Sequence, residues 1–285
     1  MERRIADIVQ AAATLLAASG HATAKLDTEY LLAHVLGCER MALYSREAGL
    51  TTKEQRTFDG LISRRATGEP VAYITGTQAF WTLDLKVNEH TLIPRPDTET
   101  LVETVLHRAG ATKKHKILDL GTGSGCILLS LLSEWSSAGG VGADISVGAL
   151  AVAAENAQHC GVADRVAFTE SHWFDALEKP AGGFSVIVSN PPYIPAADID
   201  SLMVDVRAYE PLSALNGGED GLNPYRIICE KAGAYLGAAG LLAVEIGIYQ
   251  AADVGALMQK NGFIDIEITK DLAGIERVVS AKNVK

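Results

Sequence analysis

Cysteine is scarce in this chain: four in 285 residues, at positions 38, 126, 160 and 229. They lie far apart and match no metal-ligand spacing, so they read as buried thiols of a reducing compartment. No uninterrupted apolar run reaches ~18 residues, which leaves no candidate for a bilayer span. Positive charge is in deficit, with 25 basic against 35 acidic residues and a net charge of −10. That balance argues against a protein that coats nucleic acid through its phosphates, although it does not exclude a local basic patch. Internal repeats, low-complexity segments, a Ser-His-Asp arrangement and a metal-ligand cluster are all missing. What is present is ordinary globular composition, 48% apolar and 21% charged, which is enough for a large core without staples. The length suits one large domain plus a small one.

The first residues, MERRIADIVQAAATLLAASG, superficially resemble a secretion leader. Asp7 and Gln10 interrupt the apolar stretch, and Ile5, Ile8, Ala12, Leu15 and Leu16 fall on one helical face. The pattern predicts an amphipathic helix and a cytoplasmic protein. Helical signals continue to about residue 75. Leu31, Leu32, Val35 and Leu36 form a stripe stopped by Gly37, and Thr51 with Glu54 fits a capping box. From Gly76 to Pro94 the period changes, as in a short hairpin linking two units. Beyond Pro96 the grammar is strand, turn, helix, repeated. Strands are expected at 116–120, 141–144, 166–168 and 185–189, then at 241–246, 263–268 and 278–281. The helical spacers imply a mostly parallel sheet covered on both faces, with an antiparallel hairpin closing it.

Two sites stand out. The stretch ILDLGTGSG, residues 117–125, places Gly121, Thr122, Gly123, Ser124 and Gly125 directly after an apolar strand. Glycines allow a tight turn and close approach of a ligand, and the next helix offers free N–H groups. The dinucleotide fingerprint Gly-x-Gly-x-x-Gly is missed, because position 126 is Cys. Asp119 and Asp144 each end a strand, at the edge where doubly wound sheets hold ligands. A carboxylate at Asp144 can accept from both hydroxyls of a ribose, and Asp119 can face a donor or cationic part of the same ligand. The reading is a nucleoside-containing cofactor.

The second site is IVSNPPYIPA, residues 187–196. Pro191 has no N–H and Pro192 restricts it, so the local carbonyls are exposed without competing donors. The Asn190 side-chain oxygen and the Pro191 carbonyl can then accept both hydrogens of a planar NH₂ group. Tyr193 offers a face for that group to stack on. Such a pocket suits an amide or an aromatic amine.

Asp-x-Gly-x-Gly-x-Gly after one strand, an acid after the next and Asn-Pro-Pro-Tyr after the fourth together resemble class I S-adenosylmethionine-dependent methyltransferases acting on nitrogen. Asn-Pro-Pro-Tyr is shared by DNA amino-methyltransferases and protein glutamine methyltransferases. FWTLDLKVNEHTLIPRPDTETLV (80–102), RAYEPLSALNGGEDGL (207–222) and KDLAGIERVV (270–279) narrow the choice. With them the whole chain resembles the HemK-type peptide chain release factor glutamine methyltransferases. The resemblance implies a Rossmann-like, mostly parallel sheet with an antiparallel final strand. It also implies a helical substrate-docking domain over 1–75, a β-hairpin linker over 76–95 and a methyltransferase domain over 96–285.

The implied cofactor is S-adenosylmethionine, leaving as S-adenosylhomocysteine. It would be held by Asp119, the turn from Gly121 to Gly125, Asp144, Trp173 beside the adenine, and Asn190. Asn190, Pro191 and Tyr193 would carry the catalysis, with Pro192 and Phe80 also touching substrate. Arg95 and Glu210 are candidates for the peptide entrance. His172 stands where the family often has an acid. The implied partner is the class 1 release factor and its Gly-Gly-Gln loop, with no membrane and no direct nucleic-acid substrate. Three rivals remain: a nucleic-acid amino-methyltransferase needing a flipped base and a basic surface, a non-catalytic binder of cofactor and partner, and a dehydrogenase.

Overall fold

The computed structural model describes residues 4–110 and 114–284. Two units divide them: one takes the described part of Met1–Thr77 with Met203–Tyr209, the other takes Gln78–Leu202 with Glu210–Lys285.

The smaller unit is helical: α1 (Ile5–Ala18), α2 (Ala24–Leu36), α3 (Thr52–Ala66), α4 (Val71–Thr75) and, from the later segment, α8 (Val204–Arg207). The expected amphipathic first helix is present, and its buried face is Ile5, Ile8, Val9, Ala13 and Leu16. Gly37 ends α2 in the left-handed region at φ 60, a conformation costly for residues with a Cβ. Thr51 and Glu54 form the reciprocal capping box at the start of α3. Leu16, Leu31, Leu32, Leu43 and Phe58 close a small core. Beside it Arg65 pairs with Asp27 at 2.8 Å, both nearly out of solvent.

The larger unit takes, from Gln78 onward, the hairpin of β1 (Thr77–Phe80) and β2 (Leu83–Lys86). A 3₁₀ turn, Pro96–Thr98, leads into α5 (Glu99–Ala109). Then come β3 (Lys116–Leu120), α6 (Cys126–Glu134), β4 (Gly139–Asp144), α7 (Val147–His159), β5 (Val166–Glu170) and β6 (Phe184–Ser189). After these follow α9 (Asn223–Tyr235), β7 (Leu236–Glu245), α10 (Ala251–Lys260), β8 (Ile264–Lys270) and β9 (Glu276–Lys282). The seven-stranded sheet has the order β5-β4-β3-β6-β7-β9-β8. Strands β3 to β7 pair in parallel, and β9 pairs antiparallel with both β7 and β8. The antiparallel final strand expected from the sequence is therefore present, and it lies inside the sheet between β7 and β8.

Helices cover both faces over two cores, one including Leu101, Val105, Ile117 and Leu128, the other Leu118, Ile187, Tyr225 and Val254. Such coverage explains why the central strands read as unbroken apolar runs. The hairpin is pinned into this unit. The Lys86 N–H donates to Asn156 Oδ1 at 2.7 Å, and Asn156 Nδ2 donates to the carbonyls of Lys86 (3.0 Å) and Ser124 (2.9 Å). Among the described residues no helix is long and apolar enough to cross a membrane.

Candidate active site

The parallel strands deliver their carboxyl ends to one edge. After β3 the chain turns through Gly121 to Gly125, and the Gly121 and Thr122 N–H groups donate to the Ala143 carbonyl at 2.8 and 3.0 Å. Gly121 and Gly123 are left-handed, φ 70 and 55, and a Cβ at either would meet nothing within 4 Å. The glycines are thus demanded by the turn, and the backbone there borders open space. Asp144, ending β4, spans the turn: its Oδ2 accepts from the Gly123 N–H and its Oδ1 from the Ser146 N–H, both at 2.9 Å. Burial raises its pKa, and the two N–H groups oppose that rise.

A cavity of about 600 Å³ lies over this turn. Its walls include Gly121, Thr122, Gly123, Ser124, Asp144 and Trp173, and on the other side Asn190 and Pro192. Trp173 is held at φ 55, and the Ser171 hydroxyl beneath it donates to the Trp173 carbonyl at 2.9 Å. His172 also borders the cavity. Its ring is largely exposed and meets Asp175 at 3.3 Å.

The Asn-Pro-Pro-Tyr segment leaves β6 beside this cavity and is clamped by the later loop. The Ile194 N–H donates to the Leu215 carbonyl at 3.1 Å, and the Gly217 N–H to the Ile194 carbonyl at 2.8 Å. Gln250 Nε2 donates to the Tyr193 carbonyl at 3.1 Å. Asn190 Nδ2 donates to Thr98 Oγ1 at 3.2 Å.

Not every expected residue reaches the wall. Asp119 is fully buried beneath the turn, where Oδ2 accepts from the Thr122 hydroxyl at 2.7 Å and Oδ1 has no partner. Burial pushes its carboxyl up to about 7; the Thr122 hydroxyl works against this and the Asp144 charge adds to it. Gly125 likewise packs inward, its Cβ position 3.0 Å from Leu129 Cδ1. Pro191 is buried, and Tyr193 packs half-buried against the core that holds Tyr225. Phe80, expected at the substrate entrance, is 1% exposed within the core of α5 and β3. The alternation of β1 turns its ring inward, so the structure does not bring it to the site. Arg95 does border the cavity, in an ion pair with Glu210, whose side chain is buried and also accepts from the Ile93 N–H at 3.4 Å.

Two residues of the site escaped the sequence reading. Thr98 lines the cavity, and Glu245, the last residue of β7, is 2% exposed with Oε2 unpartnered. Burial pushes Glu245 up to about 7, against the Thr98 side chain, the Arg277 charge and the Asn190 side chain. The signal was the one that exposed Asp119 and Asp144, an acid closing an apolar strand.

A nucleoside cofactor fits these residues. The open glycine backbone, the Asp144 carboxylate with lone pairs to spare, the orphaned Ser124 hydroxyl and a half-buried indole are complementary to phosphate-free ribose, polar and aromatic groups. Sheet order, glycine turn and strand-end acid together define a class I methyltransferase. Residues 7–76 match the family model described as the PrmC N-terminal domain, and residues 96–206 match the methyltransferase small domain. A release factor glutamine methyltransferase of Rhodospirillum rubrum is 47% identical, over 90% of this chain and 78% of its own. One of Geobacter sulfurreducens is 44% identical, over 94% and 92%. A solved T. Thermophilus 16S rRNA N2 methyltransferase, in complex with AdoMet and guanosine, shares the fold. Its TM-score is 0.51 at 16% identity, covering 73% of this chain and 49% of that one. The chain belongs to the release factor glutamine methyltransferase family.

Proposed function

We propose that this enzyme methylates the side-chain amide nitrogen of the glutamine in the Gly-Gly-Gln loop of bacterial class 1 release factors, in the cytoplasm, with S-adenosylmethionine as donor. The observation that carries the reading is that Asn190 and the glycine turn border one cavity. An NH₂-accepting group and a nucleoside-binding turn therefore share a single space.

S-adenosylmethionine, when bound, supplies a methyl group activated by a sulfonium. Gly121 to Ser124, Asp144 and Trp173 would hold it, with Asp144 on the ribose and Trp173 on the adenine. The difficulty lies with the nucleophile, whose lone pair is delocalised into the amide carbonyl. Asn190 Oδ1 accepts one amide hydrogen and the main-chain carbonyl of Pro191, a residue whose side chain does not reach the wall, accepts the other, which fixes the nitrogen in line for transfer. Alignment of this kind contributes several kcal/mol, up to about 7–11 in the best intramolecular cases. The same acceptors stabilise positive charge growing on the nitrogen. No base is needed beforehand, since the alkylated nitrogen is acidic and loses its proton afterwards. Tyr193, packed away from the cavity wall, shapes the segment rather than stacking on the amide. The helical unit docks the protein substrate, because so small a pocket cannot select one glutamine in a proteome.

The test is mass spectrometry of a recombinant release factor after incubation with enzyme and donor. One added methyl on the loop glutamine is expected, and Asn190→Ala is expected to lower turnover about 10²- to 10³-fold while donor affinity holds. Transfer to nucleic acid with none to the release factor refutes the reading, as does near-normal turnover by Asn190→Ala.

A further inference from the structure

The register of the sheet sets Glu245 level with Asn190. Ser189 on β6 pairs with Val244 on β7, so the next residue of each chain sits at the same carboxyl edge. Thr98, from the 3₁₀ turn before α5, faces both side chains. Its Oγ1 accepts from Asn190 Nδ2 at 3.2 Å, and the Thr98 side chain and, more weakly, the Asn190 side chain both favour the ionised Glu245 carboxyl. Thr98 and Glu245 are each 2% exposed, and Asn190 is half-buried. A hydroxyl has one hydrogen to give. That hydrogen goes to Glu245, whose carboxyl the Thr98 side chain favours in its ionised, acceptor-only form.

We propose that Glu245, acting through Thr98, is a positioning residue that holds the Asn190 amide with Nδ2 inward and Oδ1 toward the cavity. The proposal rests on the functional reading above. An amide has two nearly isosteric orientations, and only its hydrogen-bond partners decide between them. The wrong one presents NH₂ to the substrate's NH₂, two donors face to face. Ionised Glu245 enforces the productive orientation. Protonated Glu245 can itself donate to Thr98, which frees the hydroxyl hydrogen to turn to Asn190 Oδ1 and stabilises the reversed amide. Methyl transfer therefore falls as Glu245 takes up a proton.

Asp119, under the glycine turn, is also pushed up to about 7, so it is the loss of the acid limb in Glu245→Gln that assigns the titration to Glu245. Arg277 favours the ionised form and Asp97 opposes it; the two are paired with each other at 3.0 Å, and Arg277 also pairs with Asp271 at 3.1 Å. Burial holds Tyr193 and Cys126 up at about 12 and Tyr225 well above its ordinary value, so all three stay neutral near neutrality. Glu245 Oε2 has no hydrogen-bond partner, so no donor on that oxygen competes with the proton.

The experiment measures kcat and KM for a release factor against pH, with donor affinity by calorimetry, for wild type, Glu245→Gln, Thr98→Val and Thr98→Ser. Wild type is expected to lose kcat on the acid side. Glu245→Gln, which has no acceptor-only state, should lose that acid limb and turn over roughly tenfold more slowly. Thr98→Val should lower kcat roughly 10- to 100-fold, up to the cost of a small misplacement of a reacting group, with KM and donor affinity near wild type. Thr98→Ser, which keeps the hydroxyl, should recover most of the loss. A wild-type acid limb in Glu245→Gln overturns the proposal, as does equal activity of the two Thr98 variants. If Glu245→Gln does not fold, the Thr98 pair decides alone. A wild-type enzyme that leaves the release factor glutamine unmethylated overturns the functional reading and this proposal with it. Methylation that is indifferent to Glu245 and Thr98 overturns only the proposal.

Discussion

Replacing Asp144 by alanine removes the group that joins the glycine turn to the cavity. Its two oxygens accept the N–H groups of Gly123 and Ser146, each at 2.9 Å. Each oxygen keeps a second lone-pair direction, which on the proposed reading takes a ribose hydroxyl. A hydrogen bond to a charged group is worth about 1.5–3 kcal/mol, so two would contribute about 3–6 kcal/mol. Asp144 is only partly buried and water competes for it, which favours the lower end, a donor affinity about 10²-fold weaker. The stability cost is smaller. The Gly123 and Ser146 N–H groups lose their acceptor beside an open cavity, where water replaces it, so about 1 kcal/mol and a few degrees in Tm are expected. Calorimetric titration with S-adenosylhomocysteine, together with a thermal melt, separates the two effects. Asp144→Asn, which keeps one acceptor oxygen, should fall between alanine and wild type. An affinity for Asp144→Ala within about threefold of wild type refutes the ribose assignment.

Two more expectations follow from the same edge of the sheet. Gly221 has φ 75, and a Cβ there would stand 2.3 Å from the Tyr193 carbonyl oxygen and 2.8 Å from Gln250 Nε2. Gly221→Ala should push on the Asn-Pro-Pro-Tyr segment and lower kcat about 10²-fold, the effect of a small misplacement, with donor affinity little changed; unchanged kcat would show that this clamp does not position the segment. Burial raises the Asp119 carboxyl from its ordinary value of 3.8 to about 7 in the folded chain. The native state therefore binds more protons than the unfolded state between those values, and stability falls as pH rises through that window, then levels off. Asp119→Asn should flatten the decline in urea midpoints between about pH 5 and about pH 7, and parallel curves for the two proteins would contradict the assignment.

Where the sequence was informative, the signal was local. A strand followed by glycines, an acid one strand later and an amide before two prolines are short-range patterns, because turns and strand ends depend on the φ/ψ preferences of the residues in them. Gly121, Gly123 and Asp144 meet in the structure as that grammar implies, and Asn190 faces the same cavity. The capping box at Thr51 and the glycine stop at Gly37 are of the same kind.

Side-chain direction and partnership between distant segments were decided by tertiary packing. Phe80 lies on a strand with an alternating pattern, but which face of that strand meets the core depended on where the hairpin docked. Asp119 and Asp144 look alike in sequence, yet one points under the turn and the other across it. The segment Met203–Tyr209 groups with helices whose sequence ended at Thr77, and β9 enters the sheet between two earlier strands. Glu245 and Asn190 stand side by side because β6 and β7 pair in a particular register, and a register is a property of two strands together. The chain's local chemistry determined which groups a methyl-transfer site could use; the pairing of strands far apart in sequence decided which of them face each other, since burial and hydrogen bonding depend on neighbours that no single stretch contains.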